Sequence, residues 1–180
     1  MKLFYKFRDN LITSGLYFLY LFVSCVMVML VEALLVYVVD KFVVLSYFAL
    51  TIVRVVIYTL GVTALMGLWG YAEGYKEEEC RVGETVAAYI PAMILHLLFA
   101  MLFKFQGFVS GSVRFTAGLV VNGQGINADN LVNVTPYWMF LVMFAGYGVL
   151  YFAVFTIAKY VGAKQRIIVR GEIRKGENTH

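Results

Sequence analysis

Two apolar runs, Leu11 to Val39 and Phe42 to Gly70, follow one another with only Asp40 and Lys41 between them. Each carries one charge, Glu32 in the first run and Arg54 in the second. A helix of about 20 residues crosses a bilayer core, so either run is long enough. In lipid every backbone polar group must find its partner within the chain, which leaves helices as the spanning form. Two spans joined by two residues must turn back on each other. The sequence therefore dictates a tight membrane hairpin with one buried charge of each sign.

The second run tolerates its arginine. Arg at a helix centre costs about 2.5–3.5 kcal/mol, and the dozen or so Val, Leu, Ile and Phe from Phe42 to Leu60 return roughly 4–7 kcal/mol. Glu32 precedes Asp40 by eight residues, about 12 Å of helix. Arg54 follows Lys41 by thirteen, about 20 Å. Helical side chains lean toward their own N-terminus, so in an antiparallel hairpin the two lean toward each other. A direct pair is one expectation. The other is that each pairs elsewhere, or that Arg54 snorkels.

Composition agrees with a membrane chain. Of 180 residues, 62% are hydrophobic and 14% charged, and the mean hydropathy is +0.80. Soluble domains are nearer half apolar and a quarter charged. The net charge of +4 is read as lysines and arginines that set topology, not as a nucleic-acid footprint. The length fits a single membrane domain, residues 1–180.

Four spans are predicted, over about 14–39, 42–69, 85–106 and 137–161. The basic head with Lys2, Lys6 and Arg8 precedes a run too long for a signal-peptide core. Tyr17 and Tyr20 are expected near the inner headgroups and Tyr37 near the outer ones. The third span contains Pro91, which should kink it. It also carries a row at every fourth position: Glu84, Ala88, Ala92, His96, Ala100, Lys104. Small residues on that face allow close packing, and His96 at its centre is then forced inward. A second small-residue row is Thr59, Thr63 and Gly67 on the second span. Residues 107–136 are too interrupted to span alone and read as an external loop with a short interfacial helix near Ser112 to Val121. A re-entrant segment buried by protein is the alternative. Tyr137 and Trp138 open the fourth span, and Lys159, Lys164, Arg166, Arg170, Arg174 and Lys175 read as a basic tail, its cytoplasmic part being 162–180.

Of the 15 Lys and Arg, Lys41, Lys104 and Arg114 fall on the far side and Arg54 within the membrane, which leaves 11 on the side of the termini. The positive-inside rule then predicts N-in, C-in. The fold class expected is an all-α integral membrane protein, a four-transmembrane-helix bundle, in a plasma (inner) membrane of bacterial type.

Glu32, Arg54 and His96 come out at similar heights, with Tyr47, Thr51 and Tyr58 on the same face of the second helix as Arg54. Such a polar layer is a functional-site candidate by default. It reads either as a lock that fixes helix register or as a proton or ion relay, and the balanced charges favour the lock. No metal site, cofactor motif or catalytic constellation is present: there is no HExxH, GxSxG or paired cysteine, and the two cysteines, Cys25 and Cys80, are far apart. The acidic Glu77-Glu78-Glu79 run reads as a solvated turn. The expected function is a non-enzymatic membrane component whose partners are the lipid bilayer and a second copy or another membrane protein. A proton- or ion-coupled carrier or channel built from several copies is the alternative.

Overall fold

The computed structural model describes residues 2–43, 46–77, 81–102, 107–122 and 136–177, with 2–8, 40, 47, 107–110, 121–122 and 170–177 described as backbone alone. Among the described residues the fold is all-helical, in five helices: α1 (Lys2–Phe42), α2 (Tyr47–Lys76), α3 (Val82–Leu102), α4 (Gly107–Asn122) and α5 (Tyr137–Glu177). Four of them, α1, α2, α3 and α5, are long and apolar enough to cross a membrane.

The helix ends have local causes. Ser46 sits in extended conformation before α2, and its hydroxyl accepts the Ala49 N–H at 3.2 Å. That satisfies one of the orphan donors of the first turn. Glu84 lies in the first turn of α3, where a carboxylate complements the helix dipole. Pro136 stands before α5 and its carbonyl accepts from Met139 N at 3.1 Å, and proline suits such a starting position.

Cross-helix contacts fix the directions. Cys25 with Tyr58 and Tyr20 with Trp69 make α1 and α2 antiparallel. Tyr17 with Tyr89 and Phe22 with Phe99 make α1 and α3 parallel. Gly70 lies against Phe155 and Gly74 against Lys159, so α2 and α5 are parallel. Successive long helices therefore alternate in direction. One end of the bundle carries the α1–α2 turn, and the other carries the start of α1, the α2–α3 connection and the C-terminal part of α5. They are called here the hairpin end and the terminal end.

The most extensive contact is between α2 and α5. A Cβ on Gly70 would run into the Phe155 carbonyl, one on Gly74 into the Lys159 carbonyl, and one on Gly162 into the Tyr71 carbonyl. The two backbones thus touch across glycines, the small-xxx-small approach of membrane helices. Along α1, Tyr17, Leu21, Cys25 and Val28 meet Tyr58, Val62 and Met66 of α2 and Tyr89, Ala88 and Ala92 of α3 in one core cluster. A second cluster joins Ala100, Val113, Ala117, Phe140 and Phe144 near the top of α3, α4 and α5.

Two helices run longer than the sequence suggests. The short helix expected near Ser112 to Val121 is the sixteen-residue α4, packed on α1, α2 and α5. Gly111, Ser112, Val113, Ala117 and Gly118 are buried along it. It runs antiparallel to α5, since Ser112 meets Tyr151 and Thr116 meets Tyr147. Its glycines and small polar residues suit a face wedged among the tyrosines of α2 and α5, while Arg114 and Val120 are exposed. Residues 123–135 lie outside the described set. The second is the helix that carries the second span, expected over about 42–69. Helix α2 continues to Lys76, and Trp69 lies within the hairpin, stacked on Tyr20 at 4.9 Å and donating to Ser24 Oγ at 3.2 Å.

Candidate functional site

The interior holds three polar levels, stacked along the bundle. At the hairpin level Arg54 Nε lies 3.1 Å from Glu32 Oε1, with side-chain exposures of 33% and 7%. The N–H does not point at the oxygen well enough to form a hydrogen bond, so the contact is an ion pair held by charge. The Arg54 guanidinium also lies 5.7 Å from the centre of the Phe115 ring on α4, within cation–π range. Arg114, the neighbour of Phe115, adds a second positive charge to the field at Glu32.

At mid-height the elements are phenols and hydroxyls. Tyr58 OH donates to the Cys25 carbonyl at 3.1 Å and ties α2 to α1. Ser112 Oγ and Tyr151 OH are 2.6 Å apart, as are Thr116 Oγ1 and Tyr147 OH, and these pairs tie α4 to α5. Tyr89 OH donates to the Gly148 carbonyl at 3.4 Å, between α3 and α5. His96 is buried here, its ring stacked 5.3 Å from Phe144 and edge-on 6.3 Å from Phe18. Tyr58, His96, Ser112 and Tyr151 share the wall of a cavity of about 20 Å³, room for roughly one water molecule.

At the terminal end Lys159 is buried, with 5% of its side chain exposed, and its Nζ lies 2.8 Å from Glu77 Oε1. It also donates to Tyr17 OH at 3.0 Å. Tyr20 OH donates to Glu73 Oε1 at 2.6 Å, and Lys76 pairs with the same oxygen at 3.1 Å. Arg166 of α5 donates to the Lys76 carbonyl. Lys159, Glu77 and Tyr17 line a polar cleft of about 630 Å³ together with Asp9, Thr13, Arg81 and Glu84.

The structure brings some of the sequence candidates together and separates others. Glu32 and Arg54 meet. His96 and Tyr58 share a cavity wall. His96 does not join the Glu32–Arg54 level: Cys25, which lines its cavity, precedes Glu32 by seven residues, about 10 Å of helix. The single layer thus divides in two, because Phe18 and Phe144 hold the imidazole one level deeper. Thr51 is buried, with Gly118 of α4 beside its methyl group. The Tyr47 side chain lies outside the described residues. Of the alanine row, Ala88, Ala92 and Ala100 are all buried, while Lys104 lies outside the described residues. Thr59, Thr63 and Gly67 are half-buried, Gly67 facing Val154 of α5.

Sequence reading missed four things. Lys159 was assigned to the basic tail, yet it sits at the fourth-residue spacing of Tyr151 and Phe155, both buried, which marks it as inward-facing. Tyr17, expected near headgroups, is its buried partner for the same periodic reason. Gly70 and Gly74, a GxxxG pair, lay just past the expected end of the second span. Glu77, read as part of a solvated turn, is the acid that Lys159 meets. Glu78, Glu79 and Cys80 lie outside the described residues. Among the described residues no three His, Cys, Asp or Glu converge to hold a metal ion. No protein-family model, curated protein or solved structure matches the chain.

Proposed function

We propose that the protein is a non-enzymatic integral membrane component that assembles with a second copy of itself or with a partner subunit, in a plasma membrane with both termini inside. The observation that carries this reading is the closed interior. An ion pair spans the hairpin end, another spans the terminal end, and the mid-height cavity between them has a volume of about 20 Å³. A solute path through one copy has no room there. The outside is different in kind: α3 and α5 leave an apolar groove of about 340 Å³ between Ile90, Ile94, Leu141 and Val149. A partner helix seated in that groove gains close van der Waals packing, the force that drives association of membrane helices.

The test is extraction from the native membrane in mild detergent, followed by mass measurement of the intact complex. The reading expects a multiple of 20.3 kDa or a defined extra chain. A monodisperse single copy in every detergent tested sinks it. A second reading, an ion- or proton-coupled carrier formed by several copies, draws support from the hydroxyls and His96 around the mid-height cavity. Proton or ion flux in liposomes, lost in His96→Leu without loss of fold, distinguishes it.

A further inference from the structure

Among the described residues the hairpin-end level does not balance its charge. Arg54 and Arg114 both act on Glu32, which is a single carboxylate. Among the described residues no other acid lies within ion-pair distance of either arginine. Arg114 is exposed, and a third of the Arg54 side chain is exposed too. The level is not at the very end of the bundle. Arg54 lies seven residues inside the start of α2 and Arg114 eight residues before the end of α4, about 10–12 Å of helix in each case. Its neighbours on the outer surface are apolar: Ile52 and Val56 of α2 and Val120 of α4 are exposed.

An uncompensated guanidinium at that depth beside hydrocarbon is costly, and the long arginine stem allows the head to reach the interface. What it meets there decides the cost. A phosphate diester presents oxygens in the geometry that guanidinium forks bind in a bidentate manner. A bilayer supplies one such group for every phospholipid, with no further partner required. We infer that Arg54 and Arg114, with Glu32 between them holding Arg54 in place, form a binding site for the phosphate of an anionic phospholipid in the hairpin-side leaflet. The acyl chains of that lipid lie along the exposed apolar faces of α2 and α4. Glu32 tunes the site to one net positive charge, which matches a singly charged headgroup. Phe115 backs Arg54 and keeps its head on this side of the bundle.

The experiment uses the full chain in micelles holding equal amounts of phosphatidylglycerol and phosphatidylcholine. Native mass spectrometry counts which lipid stays bound as detergent is stripped. Wild-type protein should retain phosphatidylglycerol in preference. Arg114→Gln should reduce that preference about fivefold, the worth of one basic residue beside an anionic headgroup. Arg114→Lys, which keeps the charge, should retain most of it and serves as the second variant if Arg114→Gln folds poorly. Lys41→Gln, an exposed cation at the same end, should leave it unchanged. Four results overturn the inference, three of them in the lipid readout. One is equal retention of the two lipids by wild type. Another is the same loss from Lys41→Gln as from Arg114→Gln, which would mean diffuse surface charge. The third is displacement of the lipid by inorganic phosphate at the same concentration, which would mean a free-anion site. A protein chain that copurifies through this face and is lost in Arg114→Gln also overturns it, in favour of a partner carboxylate.

Discussion

Replacing Glu77 should harm the protein more than replacing Lys159, although the two form one ion pair. The asymmetry comes from burial: 5% of the Lys159 side chain is exposed against 39% of Glu77. Removing one partner of a fully buried pair costs about 3–5 kcal/mol, and an exposed pair is worth about 0–1 kcal/mol. Among the described residues, Glu77→Gln leaves the buried ammonium without a counter-charge, with only the neutral amide oxygen and the Tyr17 hydroxyl to accept from it, so it should fall between, at about 1–3 kcal/mol. Lys159→Met fills a similar volume and leaves Glu77 to water. Its cost is the acceptor role of Tyr17, about 1 kcal/mol. The double variant should then resemble Lys159→Met alone, because no buried charge remains. Melting followed by helical circular dichroism in a mild detergent reads this out. At about 2–4 °C per kcal/mol for a chain of this size, Glu77→Gln should fall by roughly 3–10 °C. Lys159→Met as damaging as Glu77→Gln, or additive losses in the double variant, would refute the claim that the burial of the charge governs this end.

Gly74→Ala should push α2 off the Lys159 carbonyl and cost about 1–3 kcal/mol, the scale of overpacking, whereas Gly83→Ala, with open space around it, should melt like wild type. Ala92→Leu and Ala100→Leu should each cost about a kilocalorie or more by the same mechanism; wild-type melting in both would mean that this face looks outward. Ser112→Ala should cost about 1–3 kcal/mol by leaving the buried Tyr151 hydroxyl without its partner, read by the same melting assay. For orientation, a cysteine placed at Asn127 should react with an impermeant reagent added to intact cells and Cys80 should not; the reverse labelling would invert the proposed topology.

The sequence carried the long helices plainly, because unbroken apolar runs need no tertiary information to be recognised. It also carried the hairpin, since two residues between two spans allow one geometry. The Glu32–Arg54 contact was legible as one of two outcomes, from heights along the helices and the direction in which side chains lean. What it did not carry is lateral. Height along an axis places His96 within a turn or two of Glu32, but which neighbour it faces depends on Phe18 and Phe144, far away in the chain. Helix α4 was legible only as a short stretch near Ser112 to Val121, because the glycines and serines at its start score as loop. Those residues pack as a helix because Tyr58 fills the space that a side chain at Gly111 would take, and Tyr151 and Tyr147 bond the hydroxyls of Ser112 and Thr116. Lys159 was hidden by a boundary: counted as the start of a basic tail, it was not tested for the four-residue spacing that carries the buried face of α5 through it.

The claim that the rest leans on is that the buried charges lock the bundle and do not move ions through it. The double-variant cycle at Glu32 and Arg54 tests it most directly. Glu32→Gln leaves two arginines without an acid, and Arg54→Gln leaves Glu32 still facing Arg114, so the first should cost more, up to about 3–5 kcal/mol, and the second less. The Glu32→Gln, Arg54→Gln double variant should recover most of the loss, a coupling of about 1–3 kcal/mol in the range seen for contacting residues. Recovery of that size in melting free energy is the predicted result. Losses that simply add would contradict it and leave the pair as two independent charges.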